Sequence, residues 1–141
     1  MNSQIWFLAP IFVHVALTNY VGLRTVTLRR ASVMKGETRL KDIAFNSAAW
    51  PTEIKKWGFN FDNQFDVPTA WYAASALIVA TSKIDLFFIL LSWFFVGSRV
   101  VHSYIHTGSN YVRYRMYAFL GGFGALTVMW VWFAVRLLQS T

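Results

Sequence analysis

Several polar side chains of this sequence stand inside apolar segments or at their ends, where a membrane rejects an isolated charge. Asn63 and Asp66 are three residues apart, so on a helix they share one face. Arg99, His102 and His106 follow an i, i+3, i+7 spacing, which at about 100° per residue puts them within roughly 60° of one another. Carboxylate, amide, imidazole and guanidinium groups brought together in this way form a polar pocket.

Two further cations, Arg113 and Arg115, precede the last apolar segment of the chain. A charge at the centre of a membrane helix costs about 2.5 to 3.5 kcal/mol on insertion scales, so these groups need partners. We expect Asp66 to face Arg99 in a pocket near the cytoplasmic leaflet. The other cations of this pocket would bind an anion supplied by a ligand. Taken singly, the residues also have structural explanations, because Asn63 can cap a helix and the arginines can reach lipid phosphates.

The elements that must position these residues are four apolar runs of about the 20 residues that a bilayer core requires. The chain as a whole is 56% hydrophobic and 18% aromatic, with only 13% charged residues, which is too apolar for an ordinary soluble domain. The sequence therefore predicts an all-α membrane protein, a four-transmembrane-helix bundle that forms one domain over residues 1–141. The predicted spans cover residues 5–23, 63–82, 84–106 and 116–138.

Basic residues are concentrated in two connections between the spans. The loop of residues 24–62 holds eight lysines and arginines, and the turn before the last span adds Arg113 and Arg115. By the positive-inside rule these connections face the cytoplasm, and both termini lie outside it. Within the loop, Pro51 suits the first turn of a helix, and the residues after it predict a short helix at the membrane surface.

Several classes of function are disfavoured. The chain has no cysteine, which excludes disulfides and a thiolate nucleophile of its own. Its net charge of +7 comes in clusters, and the apolar runs leave no room for the basic face of a nucleic-acid-binding module. His102 and His106 are spaced i, i+4, but no Glu or Cys accompanies them, so we predict no metal site. His14, isolated in the first span, is expected to be a hydrogen-bonded packing residue.

The order of these features resembles the MAPEG family, the membrane-associated proteins in eicosanoid and glutathione metabolism. The motifs are N-x-x-D-x-P from Asn63 to Pro68 at the start of the second span, R-x-x-H at Arg99 and His102, and Arg115 before the fourth span. The resemblance implies a homotrimer of four-helix bundles, here a bacterial type in the inner membrane. It also implies that glutathione binds between neighbouring subunits near the cytoplasmic face.

Carried over residue by residue, the resemblance implies a role for each motif position. Asn63 and Asp66 would bind glutathione, with Asp66 on the amine of the tripeptide at a position that family members usually fill with Glu. Arg99 and His102 would contact the same tripeptide. Arg115 would be the catalytic residue, because it falls on the arginine that stabilises the glutathione thiolate in active members.

Besides Asp66, three further positions depart from the pattern of the active members. Phe59 stands where the family has Arg, His106 where it has Tyr, and Met116 where some members have Ser. Because His106 and Arg113 lie at the same membrane level as Arg115, we include both in the predicted glutathione-binding set.

The resemblance implies a glutathione-dependent transferase or peroxidase that acts on lipophilic electrophiles arriving from the membrane lipid. The departures leave open a second possibility, a non-catalytic lipid-binding or scaffold protein of the same fold. A third is a proton or small-ion pathway built on Asp66, His102 and His106, since ionisable residues inside a membrane often mark such routes.

Overall fold

The computed structural model describes residues 3–139, and its regular structure is entirely helical over that range. The all-α prediction is therefore confirmed, while Met1, Asn2, Ser140 and Thr141 of the predicted single domain lie outside the described residues. The elements are α1 (Ser3–Met34), α2 (Leu40–Ile43), a 3₁₀ turn (Ser47–Ala49), α3 (Thr52–Asp62), α4 (Val67–Ala80), α5 (Leu86–Thr107) and α6 (Val112–Leu138).

Three of these helices, α1, α5 and α6, are long and apolar enough to cross a membrane. Helix α4 has only 14 residues. At a rise of about 1.5 Å per residue it spans roughly 21 Å, short of a hydrocarbon core of about 30 Å. The predicted span of residues 63–82 is helical over Val67–Ala80, and its first residues, 63–66, form the turn between α3 and α4 instead of a helix face. The count of four spans is not confirmed.

Helices α3 and α4 nevertheless run one after the other along α1, in the antiparallel direction. The guanidinium carbon of Arg29 lies 5.2 Å from the ring centre of Trp50, just before α3. Farther toward the start of α1, His14 hydrogen-bonds to Tyr72 of α4 at 2.7 Å. The two short helices thus both run antiparallel to α1, and only α4 lies within the predicted second span of residues 63–82.

The break between α3 and α4 follows from Pro68 and from buried polar side chains. Proline lacks an N–H and its ring clashes with the carbonyl four residues earlier, so the first turn of α4 accommodates Pro68 at a lower cost than the middle of a helix would. The Gln64 amide donates to the Asn60 carbonyl at 2.9 Å and to Ser103 Oγ at 3.0 Å. Ser103 in turn donates to Asn60 Oδ1 at 3.1 Å, which ties the break to α5.

Helix α1 is longer than predicted and ends at Met34, so the first part of the predicted loop 24–62 is helical. The helix predicted after Pro51 is present as α3, and Ile54 and Gly58 of α3 are buried. Helix α3 packs against α1 and α5, so it belongs to the bundle. Its position at the membrane surface stays a prediction.

Helix α5 packs along both α1 and α6, and α4 packs against α6 and α1. Only residues 81–83 separate the second and third apolar runs, and so short a connection predicts two antiparallel neighbouring helices. Instead, α4 and α5 meet across the centre of the bundle through Trp71 and Phe95, whose rings stack with centroids 5.0 Å apart. Both side chains are fully buried, and they need the space that a diagonal arrangement leaves.

Gly122 lets α6 approach Ser98 of α5 closely. A Cβ atom at this position would collide with the Ser98 side chain, whereas a Cβ at Gly124 would meet nothing within 4 Å. We expect Gly122→Val to lower the free energy of unfolding by about 1 to 3 kcal/mol through overpacking. Gly124→Val has the same intrinsic cost in a helix and should stay close to the native protein. Thermal denaturation in detergent compares the two variants. Equal melting midpoints would contradict the close approach of Gly122 to Ser98.

Candidate functional site

Four of the predicted site residues meet in one cleft between α3, α5 and α6. Its volume is about 460 Å³, within the range of small-molecule sites. The cleft lies at the end of the bundle where α3 meets the α5–α6 turn, and Lys56 of α3 donates to the Gly108 carbonyl of that turn at 3.2 Å. It is lined by Phe59, Asn63, His102, His106, Val112, Arg115, Met116 and Phe119.

His102 and His106 occupy the same face of α5 and contact each other edge to face, with ring centroids 5.6 Å apart. His102 Nδ1 lies 3.1 Å from the backbone carbonyl of Arg115, so this nitrogen carries the proton and donates. His102 Nε2 and His106 Nδ1 are buried and have no hydrogen-bond partner within residues 3–139. Within the described residues, the fold thus leaves one nitrogen of each imidazole unpaired next to the cleft.

Arg115 is half-buried at the start of α6, and its position is set by the preceding turn. Its Nη1 donates to Asn110 Oδ1 at 2.6 Å. Asn110 has a φ of 52°, in the left-handed region that Asn tolerates better than most residues. Sequence reasoning missed Asn110, although the G-S-N turn before α6 was a usable signal. The turn directs one cation toward the cleft without neutralising it.

Arg99 lies beneath the cleft and does not line it. Only 1% of this residue is exposed, and its Nη2 donates to the backbone carbonyl of Asn63 at 2.9 Å. Its guanidinium carbon is 5.9 Å from the ring centre of Phe119, a residue of the cleft wall. Arg99 thus holds two walls of the cleft in place.

The predicted pairing of Asp66 with Arg99 is wrong as a direct contact. Asp66 is exposed and comes no closer than an electrostatic interaction at longer range with Arg99, and the two form no ion pair. The backbone carbonyl of Asn63 takes the position that the carboxylate was expected to fill. Arg113 is also exposed, and neither Asp66 nor Arg113 contributes to the cleft lining within one chain.

Comparison with known proteins gives one match, to the model of the MAPEG family, over residues 7–135. The chain belongs to the MAPEG family. Its long apolar helices agree with this assignment, and it is an integral membrane protein. No curated protein and no solved structure matches the chain.

Three of the four positions that depart from the pattern in the family resemblance line the cleft. Phe59 and Met116 place apolar groups on its walls, and His106 adds an imidazole. The fourth, Asp66, is exposed and does not line the cleft.

His14 lies in the core and has no part in the cleft. It is fully buried, its Nδ1 is 2.7 Å from the Tyr72 hydroxyl, and its ring meets the edge of Trp71 at 5.7 Å. The expectation of a hydrogen-bonded packing residue is confirmed. Within residues 3–139 no three His, Cys, Asp or Glu side chains are grouped as metal ligands.

We expect Arg99→Ala to lower the free energy of unfolding by about 1.5 to 3 kcal/mol, the range for a hydrogen bond from a charged group. The Asn63 carbonyl would lose its donor at the break between α3 and α4. Arg113→Ala removes the same charge from an exposed side chain and should change stability by less than about 0.5 kcal/mol. Thermal denaturation of both variants in detergent measures the two changes in stability. A similar decrease in both variants would show that removal of a positive charge, and not of the hydrogen bond to Asn63, lowers the stability.

Proposed function

We propose that this MAPEG protein is a glutathione-dependent transferase or peroxidase that acts on lipophilic electrophiles. The observation that carries the proposal is Arg115, a cation held by Asn110 at the wall of a cleft whose other lining groups are apolar side chains, two imidazoles and the Asn63 amide. A half-buried guanidinium without an acidic partner is suited to receive an anion that a ligand brings.

The chemistry that Arg115 supports is activation of a thiol. A positive charge beside sulfur stabilises the thiolate relative to the thiol, and the thiolate is the attacking form. In a transfer reaction the thiol proton passes to water, the sulfur forms a bond to the electrophilic carbon, and the leaving group departs with its electron pair. In a peroxidase reaction two thiols are oxidised to a disulfide while one hydroperoxide is reduced to an alcohol and water.

The other polar residues bind the rest of the tripeptide in this proposal. Glutathione carries two carboxylates and an amine, and the side chains of Asn63, His102 and His106 offer hydrogen bonds within the cleft. Arg99 acts from below by positioning Asn63. Asp66 and Arg113 are exposed in a single chain. They reach glutathione only if it is shared with a neighbouring subunit, which is the homotrimer expected of the family.

The proposed route of the second substrate is through the lipid. Phe59, Val112 and Met116 are exposed apolar residues on the cleft walls, so a lipophilic electrophile can approach the sulfur without crossing a polar surface. We place the cleft at the cytoplasmic side of a bacterial inner membrane, with both termini outside the cytoplasm, because it lies at the same end as the basic residues 24–62.

Titration of the purified protein with glutathione tests the role of Arg115 through the ultraviolet absorbance of the bound thiolate. Arg115→Ala should reduce the thiolate fraction about tenfold, equivalent to roughly 1.4 kcal/mol of lost stabilisation. Arg115→Lys should retain part of it, because the charge remains. Lys41→Ala, an exposed cation remote from the cleft, is the matched control. An unchanged thiolate signal in Arg115→Ala would exclude the catalytic assignment.

Restoring the family's arginine offers a test in the opposite direction. Phe59→Arg adds a cation to the cleft wall and should tighten glutathione binding about tenfold, the effect of one charge-assisted hydrogen bond of about 1.5 kcal/mol. Phe59→Gln removes the ring without adding charge and should not reproduce the gain. Calorimetry in detergent measures both affinities, and weaker binding by Phe59→Arg would show that no carboxylate lies near this wall.

A non-catalytic lipid-binding protein is the second candidate, and one observation favours it. Two of the four departures, Phe59 and Met116, make the cleft more apolar than the family pattern. This alternative predicts no heat of binding when glutathione is titrated into the native protein. Micromolar binding would count against it.

A further inference from the structure

A second groove, separate from the glutathione cleft, lies beside the last turns of α1. Its volume is about 380 Å³, and it shares no lining residue with the cleft. We propose that this groove binds an anionic phospholipid, with an acyl chain in the groove and the phosphate on two arginines at its edge. The lining residues are Val26, Arg29, Arg30, Val33, Met34, Leu40, Ile43 and Trp50.

One wall of the groove is a single face of α1. Val26, Arg29, Arg30, Val33 and Met34 follow i, i+3, i+4, i+7 and i+8, which is the repeat of one helix face. This part of α1 lies beyond the predicted span of residues 5–23, yet Val26 and Met34 remain 65% and 74% exposed. Apolar and cationic side chains on the same exposed face suit the boundary between acyl chains and headgroups.

The opposite wall is formed by the chain as it turns back after α1. Gly36 has a φ of 75°, and the Glu37 amide donates to the Ser32 carbonyl at 3.0 Å. A buried hydrogen bond of 2.8 Å between the hydroxyls of Ser32 and Thr38 secures this turn. The following residues, Leu40 and Ile43 of α2, therefore come to lie against the α1 face.

Neither of the two arginines at the groove, Arg29 and Arg30, forms an ion pair within residues 3–139. Arg29 rests on the Trp50 ring, and its buried Nε has no hydrogen-bond partner in that part of the chain. Arg30 is exposed. Both guanidinium groups line the groove, and such groups are suited to a phosphate, which they can contact through several N–H donors.

An anionic lipid fits these observations better than a soluble anion or a second copy of the chain. A soluble phosphate would leave the apolar lining of the groove without a contact. An apolar protein partner would leave the two arginines without an anion. The surrounding residues 24–62 contain eight lysines and arginines against four aspartates and glutamates, a charge excess that attracts the anionic surface of a membrane.

The test uses the full chain in detergent with phosphatidylglycerol or phosphatidylcholine, and native mass spectrometry counts the lipids retained. We expect retention of phosphatidylglycerol over phosphatidylcholine, and Arg30→Gln should weaken that preference about fivefold. Lys35→Gln removes one charge from the same region but does not line the groove, so it should leave the preference near the native value. Val26→Trp fills the groove without changing charge and should also reduce retention.

Four results would overturn the proposal. Equal losses in Arg30→Gln and Lys35→Gln would show a diffuse attraction by the basic loop. An unaffected Val26→Trp would show that no acyl chain enters the groove. Full competition by glycerol phosphate would identify a soluble-anion site, and fewer protomers per assembly in Arg30→Gln would mean that a second copy covers the groove. None of these readouts depends on glutathione binding.

Discussion

The hydrogen bond from buried Arg99 to the Asn63 carbonyl is the interaction on which the cleft depends. A break in a helix inside a bundle leaves backbone carbonyls without their usual donors, and lipid cannot replace them. Arg99 supplies the donor to Asn63, and Gln64 supplies one to Asn60. These side chains let α3 end and α4 begin within the bundle, so the chain bends where the cleft is formed.

The fold divides the arginines into those that bind groups of the protein and those that remain available to an anion. Arg99 is used internally, whereas Arg115 is held by a turn residue and keeps its charge available to the cleft. Arg29 and Arg30 lie at a different groove and have no acidic partner within the described chain. A chain with 13 basic and six acidic residues cannot neutralise its cations internally, so anions from ligands or lipid are the natural complement.

Much of the site was predictable because it depends on helical spacing. The face shared by His102 and His106 needs only the geometry of α5, and Asn63 and Arg115 follow from motif positions. The exposed position of Asp66 was not predictable, since it depends on the direction in which the chain leaves α3. The role of Asn110 also depends on tertiary structure, because a positive φ in a three-residue turn cannot be derived from apolar periodicity.

By itself, the sequence determined the helical class, three long apolar helices, the family and most of the residues at the cleft. These properties follow from composition, periodicity and local motifs, which act over a few turns of helix. Only the tertiary structure decided that residues 63–66 form a break before α4, that α4 and α5 meet diagonally through Trp71 and Phe95, and that Arg99 binds the Asn63 carbonyl and not Asp66. The physical reason is that buried donors and large rings must find partners on other helices, and those partners exist only once the bundle is assembled.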